Sequence, residues 1–210
     1  MERSFQSVSK VKKRSAVRQI EDLHPYKTIL YLSMMGSGVL FFFLVLLYSL
    51  FEASSIPSVG VVPKVFVVST VVLMASGYLV SGILSAFRKE KLKRVRDLLL
   101  LTMICGVAFT LLQMVGWYQL YDTGVFFNGK QGDSYLYLIS GIHIAHLIVG
   151  VFILSYLYAQ YRKNAGDPVK ELVVITNPYE RTKLEIATGL WHFIDVVWIV
   201  LFFYFFLTIS

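Results

Sequence analysis

Five apolar runs, near residues 28–51, 64–87, 97–121, 134–161 and 183–208, constrain this 210-residue chain more than any other feature of its sequence. Each is as long as the roughly 20 residues that a bilayer-spanning helix needs. Composition agrees. Hydrophobic residues make up 56% of the chain, charged ones only 16%, and the mean hydropathy is +0.64; an ordinary soluble domain is about a quarter charged. The expected fold is all-α: a polytopic membrane protein with five transmembrane helices over residues 28–210, no separate soluble domain, and a basic tail over residues 1–27. The prolines (Pro25, Pro57, Pro63, Pro168 and Pro178) all fall outside the runs, as befits a residue that breaks helix interiors. The first run begins near Ile29, is too long for a signal-peptide core and is followed by no small-residue cleavage site. It reads as a retained helix.

Charge placement sets the expected topology. The tail carries Arg3, Lys10, Lys12, Lys13, Arg14, Arg18 and Lys27. The second connection carries Arg88, Lys89, Lys91, Lys93, Arg94 and Arg96, and the fourth adds Arg162, Lys163, Lys170, Arg181 and Lys183. Of 20 basic residues, only Lys64 and Lys130 fall on the other side. The positive-inside rule then puts the N-terminus inside and the C-terminus outside. The net charge of +7 thus reports topology and some attraction to anionic lipid, not nucleic acid.

Lipid offers no hydrophobic drive between helices, so contacts are expected where small and polar residues line up. In the third run Thr102, Gly106, Phe109, Gln113 and Gly116 recur at steps of three and four, one helix face. The second run offers Gly77, Ser81 and Ser85, and the first Ser33, Gly36 and Ser37. The last run holds the strongest polar stripe, Glu185, Thr188, His192 and Asp195, flanked by Trp191 and Trp198. His192 should lie about 10 Å deeper than Glu185 at about 1.5 Å rise per residue. Asp195 is deep enough to need a donor or a proton.

The fourth run contributes Ser140, His143 and His146. Two histidines three residues apart can point to one side and could ligate a metal. Alternatively they bond to neighbouring helices or lipid head groups. No further ligand is apparent at that depth, because His192 enters from the opposite membrane face and His24 is in the tail; no metal site is expected. The single cysteine, Cys105, excludes a disulfide framework and a two-thiolate metal centre.

The run Trp191-His192-Phe193-Ile194-Asp195-Val196-Val197-Trp198, with Glu185 seven residues before the histidine, resembles the last-helix signature of subunit III of haem-copper terminal oxidases. Ser140-Gly141-Ile142-His143-Ile144-Ala145-His146 resembles that family's Gly-x-His-x-x-His helix, and Leu101, Thr102, Gly106, Phe109 and Gln113 resemble the helix before it. Gly38 and Gly116 stand where many members carry acidic residues. The likeness is to the shorter, five-span form.

The resemblance implies a non-catalytic accessory subunit that holds no redox centre itself, the haems and copper belonging to subunits I and II. It implies a polar core of His143, His146, Glu185, Trp191, His192, Asp195 and Trp198, and a helix-contact seam of Thr102, Gly106, Phe109 and Gln113. It also implies phospholipid bound near Arg96, Arg181 and Lys183, support of proton uptake by subunit I, and a place in a bacterial cytoplasmic (inner) membrane, with a respiratory supercomplex as a further partner. Only four histidines are present, too few for two haems and a copper, which agrees. The electron donor of such an oxidase, cytochrome c or quinol, is chosen by other subunits; cytochrome c is the preferred reading. A nitric oxide reductase accessory protein is a variant of this reading. A stand-alone proton channel or transporter, with Glu185, His192 and Asp195 as a relay, is the alternative of different class; no internal repeat or broken helix favours it.

Overall fold

A computed structural model describes residues 25–52, 63–127 and 131–209. The tail up to His24, together with Pro57 and Lys130, lies outside the described residues. Among the described residues six helices follow in order: α1 (Pro25–Glu52), α2 (Lys64–Arg88), α3 (Leu92–Asp122), α4 (Gln131–Asn164), α5 (Pro168–Thr176) and α6 (Pro178–Ile209). All except α5 are long and apolar enough to cross a membrane.

The helices outrun the apolar segments that announced them. α3 begins at Leu92 and α6 at Pro178, each about five residues before its apolar run. Backbone hydrogen bonding does not stop where an apolar run does, so Lys93, Arg94, Glu180 and Arg181 belong to the helices although they precede the apolar segments. Pro168 and Pro178 stand at first helical positions, where a missing N–H breaks no bond and the fixed φ suits the helix.

The short α5 was expected as loop. Its start is written in local chemistry: Asp167 caps it, accepting from the backbone N–H of Val169 at 3.1 Å and of Lys170 at 3.5 Å, and Pro168 follows as the first helical residue. The Lys170 side chain bonded to Asp167 holds that carboxyl below the usual aspartate range. A depressed carboxylate stabilises only while ionised. The α5 N-terminus is therefore expected to fray when pH falls through the folded-state titration of Asp167, checked by faster amide exchange at Val169 and Lys170.

α2 packs against α3 and α6, α3 against α4, and α4 against α6; α1 fits the angle between α4 and α6. The α2–α3 corner turns at Glu90, whose left-handed φ of 58° goes with Lys91 N–H closing back to Ala86 O at 3.0 Å. Two apolar clusters fill the bundle. One, toward the basic end, gathers Val80, Ile83, Leu99, Leu157, Leu184 and Trp191. The other, toward the opposite end, gathers Phe41, Tyr48, Phe66, Phe109 and Trp198.

Small residues let the helices come this close. A Cβ on Gly106 would lie 2.7 Å from Trp191 Cη2, and one on Gly116 would lie 2.7 Å from the Phe66 ring. The face holding Thr102, Gly106, Phe109, Gln113 and Gly116 is the buried face of α3.

Candidate functional site

Four pairs of polar side chains in this bundle are joined across helices by one repeated device. Trp191 donates its indole N–H to Ser76 Oγ at 3.0 Å, and Ser76 donates its own proton to Leu73 O at 2.7 Å. Two turns further along the antiparallel pair, Trp198 donates to Thr70 Oγ1 at 3.0 Å and Thr70 to Phe66 O at 2.7 Å. Gln113 donates to Ser69 Oγ at 3.0 Å, with Ser69 bonded to Phe66 O at 2.9 Å. Trp117 donates to Ser140 Oγ at 3.1 Å, with Ser140 bonded to Leu136 O at 2.7 Å. In each case a hydroxyl passes its single proton to its own helix and offers a lone pair across the interface.

Removing one such acceptor tests the device. Ser76→Ala is expected to cost about 0.6–1.7 kcal/mol, the range for interhelical hydrogen bonds in membranes, read by thermal unfolding in detergent. Ser81→Ala, on an exposed residue, should cost less.

The two histidines of α4 have different surroundings. His143 is 1% exposed and boxed by rings, with centroids at 5.0 Å to Trp198, 5.9 Å to Phe109 and 6.3 Å to Phe41. Neither of its nitrogens has a hydrogen-bond partner among the described residues. His146 is bonded at both: Nδ1 lies 2.8 Å from Ile142 O and Nε2 lies 2.7 Å from Ser37 Oγ. A carbonyl can only accept, so Nδ1 donates to Ile142 O, and the Ser37 hydroxyl, which can accept or donate, pairs with Nε2. Among the described residues no three His, Cys, Asp or Glu side chains gather closely enough to hold a metal ion.

The stripe on α6 divides between neighbours. Glu185, at the basic rim, is ion-paired with Lys27 of α1 and with Arg181, the latter at 2.8 Å. His192 Nε2 lies 3.4 Å from Ser81 Oγ on α2. Asp195 is 5% exposed, pressed so close to α2 that a Cβ on Gly77 would lie 2.6 Å from its Oδ2. Neither carboxyl oxygen has a hydrogen-bond partner among the described residues. One helix face thus serves α1 at its rim and α2 at its centre.

The cations expected near lipid also separate. Arg96 pairs with the neighbouring Asp97 at 2.7 Å and Arg181 with Glu185. Lys183 pairs with Glu180 at 2.7 Å, lies 5.3 Å over the Tyr179 ring, and lines a groove of about 630 Å³ between α1, α4 and α6. That groove is apolar along Leu30, Val149, Ile153 and Ile186, with Ser33, His146, Tyr179, Thr182 and Lys183 as its polar lining.

Sequence reasoning named the two tryptophans but not their partners. Ser69, Thr70, Ser76 and Trp117 were missed. The signal was present: two indoles seven residues apart on one helix, and hydroxyls six and seven apart on a helix running the other way.

The arrangement defines a class: a membrane bundle with, among the described residues, five helices long and apolar enough to cross a bilayer, tied by indole–hydroxyl bonds. A family model described as Cytochrome c oxidase subunit III matches residues 25–209, and the chain belongs to that family. It is similar to the probable cytochrome c oxidase subunit 3 of Rickettsia prowazekii (strain Madrid E), 31% identical over 135 residues, which covers 64% of this chain and 45% of the relative. It is also similar to cytochrome c oxidase subunit 3 of Loxodonta africana, 30% identical over 150 residues, covering 70% and 52%. With that of Polypterus ornatipinnis it is 27% identical over 175 residues, covering 77% and 62%. The chain spans about half the length of the curated relatives it matches.

Proposed function

We propose that this chain is a non-catalytic accessory subunit of a respiratory haem-copper oxidase that reduces oxygen to water with proton translocation. It lies in a bacterial cytoplasmic membrane with its N-terminus and basic connections inside, packed beside the subunits that hold haem and copper. The observation that carries this reading is the use made of the polar core. Trp191, Trp198 and His146 of that core, and Gln113 and Trp117 beside it, are bonded across helices, while His143 and Asp195 are packed without a hydrogen-bond partner among the described residues; the family match runs through the same residues. Such a core keeps a bundle rigid rather than performing chemistry.

The apolar wall along Val149 and Ile153, with Lys183 on the same groove, supports a phospholipid site in which acyl chains follow that wall and the phosphate competes with Glu180 for the Lys183 ammonium. Arg96, on α3, does not line the groove. Lys183→Glu is therefore expected to lower the phospholipid retained on purification, measured as phosphorus per protein, while Arg96→Glu leaves it unchanged. Equal losses from both would point to diffuse charge attraction instead.

The assignment is tested by purification in mild detergent. A complex with the visible absorbance of haem, carried on other polypeptides and oxidising cytochrome c, is expected. Oxidation of quinol alone would move the chain to a quinol oxidase, and nitric oxide reduction to a reductase complex. A colourless chain that conducts protons alone in liposomes would overturn the reading. Against that relay, Glu185 is held by Lys27 and Arg181 at the rim, about two turns short of His192. Asp195→Leu is expected to shorten the oxidase's lifetime under turnover; unchanged inactivation kinetics would remove Asp195 from the supporting core.

A further inference from the structure

The outer face of α6, between α1 and α2, carries hydrogen-bonding groups where hydrocarbon should be. His192 lies near the middle of α6 and is only half-buried. Beside it on α2, Ser81 is exposed, and Tyr78, one turn away on the same face, is 83% exposed. The Tyr78 hydroxyl has no hydrogen-bond partner among the described residues. Tyr78 sits ten residues before Arg88, about 15 Å along the helix at 1.5 Å per residue, so it is too deep for the interfacial aromatic belt. The exposed Tyr118 and Tyr121, by contrast, fall in the closing turns of α3, where such a belt is expected.

The hydrocarbon tails of lipids can neither accept nor donate a hydrogen bond, and polar side chains at that depth normally face protein. The same face is small: Ser81 and Ser85 on α2 are exposed, and a Cβ on Gly189 of α6 would meet nothing within 4 Å. Small residues beside hydrogen-bonding ones are what lets a second helix approach closely and bond. We propose that Tyr78, Ser81 and His192 seat a membrane-spanning helix of a different polypeptide, one that presents hydrogen-bonding side chains at the depth of His192.

This inference rests on the reading of the chain as a subunit of a larger complex, and names the face through which it docks. The experiment places a photo-reactive benzoyl-phenylalanine at position 78, or at position 152 on the far side of α4, where Phe152 is 71% exposed. Both are irradiated in native membranes containing the whole complex. The label at 78 is expected to join a second membrane polypeptide and the label at 152 to join lipid. Gly189→Leu, which fills open space and so spares the fold, is expected to cut the adduct from position 78 about tenfold, the scale of one well-placed interface residue. With the haem-bearing complex intact, an adduct from 78 to lipid alone, to a second copy of this chain, or equally from 152, overturns the docking face and leaves the subunit reading standing. A chain that purifies without partners ends both.

Discussion

Trp191→Ala is expected to destabilise the detergent-solubilised bundle by about 3–5 kcal/mol, the range for removing a fully buried tryptophan. Trp191 is 1% exposed and among the largest fully buried side chains. Its ring lies over Gly106 and Gly150, with approaches of 2.7 Å and 3.2 Å to where their Cβ atoms would be. It therefore closes α3, α4 and α6 onto one another, while its N–H ties α2 through Ser76. Gly106 and Gly150, against which the ring packs, have no side chains that could move in to fill the space. Trp191→Phe separates the two contributions: it keeps most of the ring packing and removes the N–H, so about 1 kcal/mol is expected. A loss from Trp191→Ala no larger than that from Trp191→Phe would show that hydrogen bonding, not packing, makes this residue matter.

The second large effect is a coupling between α2 and α6. Gly77→Ala would place a methyl group 2.6 Å from Asp195 Oδ2, closer than real contacts allow. Overpacking of this kind costs about 1–3 kcal/mol. Asp195 has little freedom to retreat, since its neighbours one turn either side, Trp191 and Trp198, are locked to Ser76 and Thr70. In a chain already carrying Asp195→Ala, the same Gly77→Ala change should cost almost nothing. The double-mutant cycle is thus expected to return a coupling of about 1 kcal/mol or more, read from thermal unfolding of the four proteins. Equal costs in both backgrounds would mean that the two helices do not meet at this pair.

The departures at Gly38 and Gly116 look different once the neighbours are visible. At position 116 the Phe66 ring occupies the space an acidic side chain would fill. At position 38 the nearest atom to a Cβ would be Phe193 Cε2 at 3.9 Å, ordinary contact. One of the two glycines is required by a neighbouring ring and the other is not. That difference was invisible in a single sequence, where both read as an acid replaced.

Local chemistry explains what could be read early. The five spans follow from hydropathy alone, because a bilayer demands long apolar helices wherever the chain crosses it. The buried α3 face from Thr102 to Gly116 follows from periodicity, because only a helix brings residues three and four apart together. The start of α5 was equally legible in Asp167-Pro168, yet nine residues between two spans carry too little apolar pattern to announce themselves. Glu185, His192 and Asp195 were correctly placed on one helix face. Their partners, however, were not given by that face, since Lys27, Ser81 and Gly77 come from helices more than 100 residues away in sequence.

The sequence by itself determined where the five helices long and apolar enough to cross a membrane lie among the described residues, which residues are apolar, and which family signatures the chain carries. Those are properties of segments, set by the solvent each segment must match. Only the tertiary structure decided that Ser76 and Thr70, rather than Ser81 and Ser85, receive the indoles of α6, that His143 sits among rings while His146 is bonded, and that Tyr78 and His192 look outward. The physical reason is that lipid is indifferent to which apolar face turns inward. The pairing is settled by where a glycine lets a backbone approach and where a hydroxyl stands opposite a donor, and both are relations between distant parts of the chain.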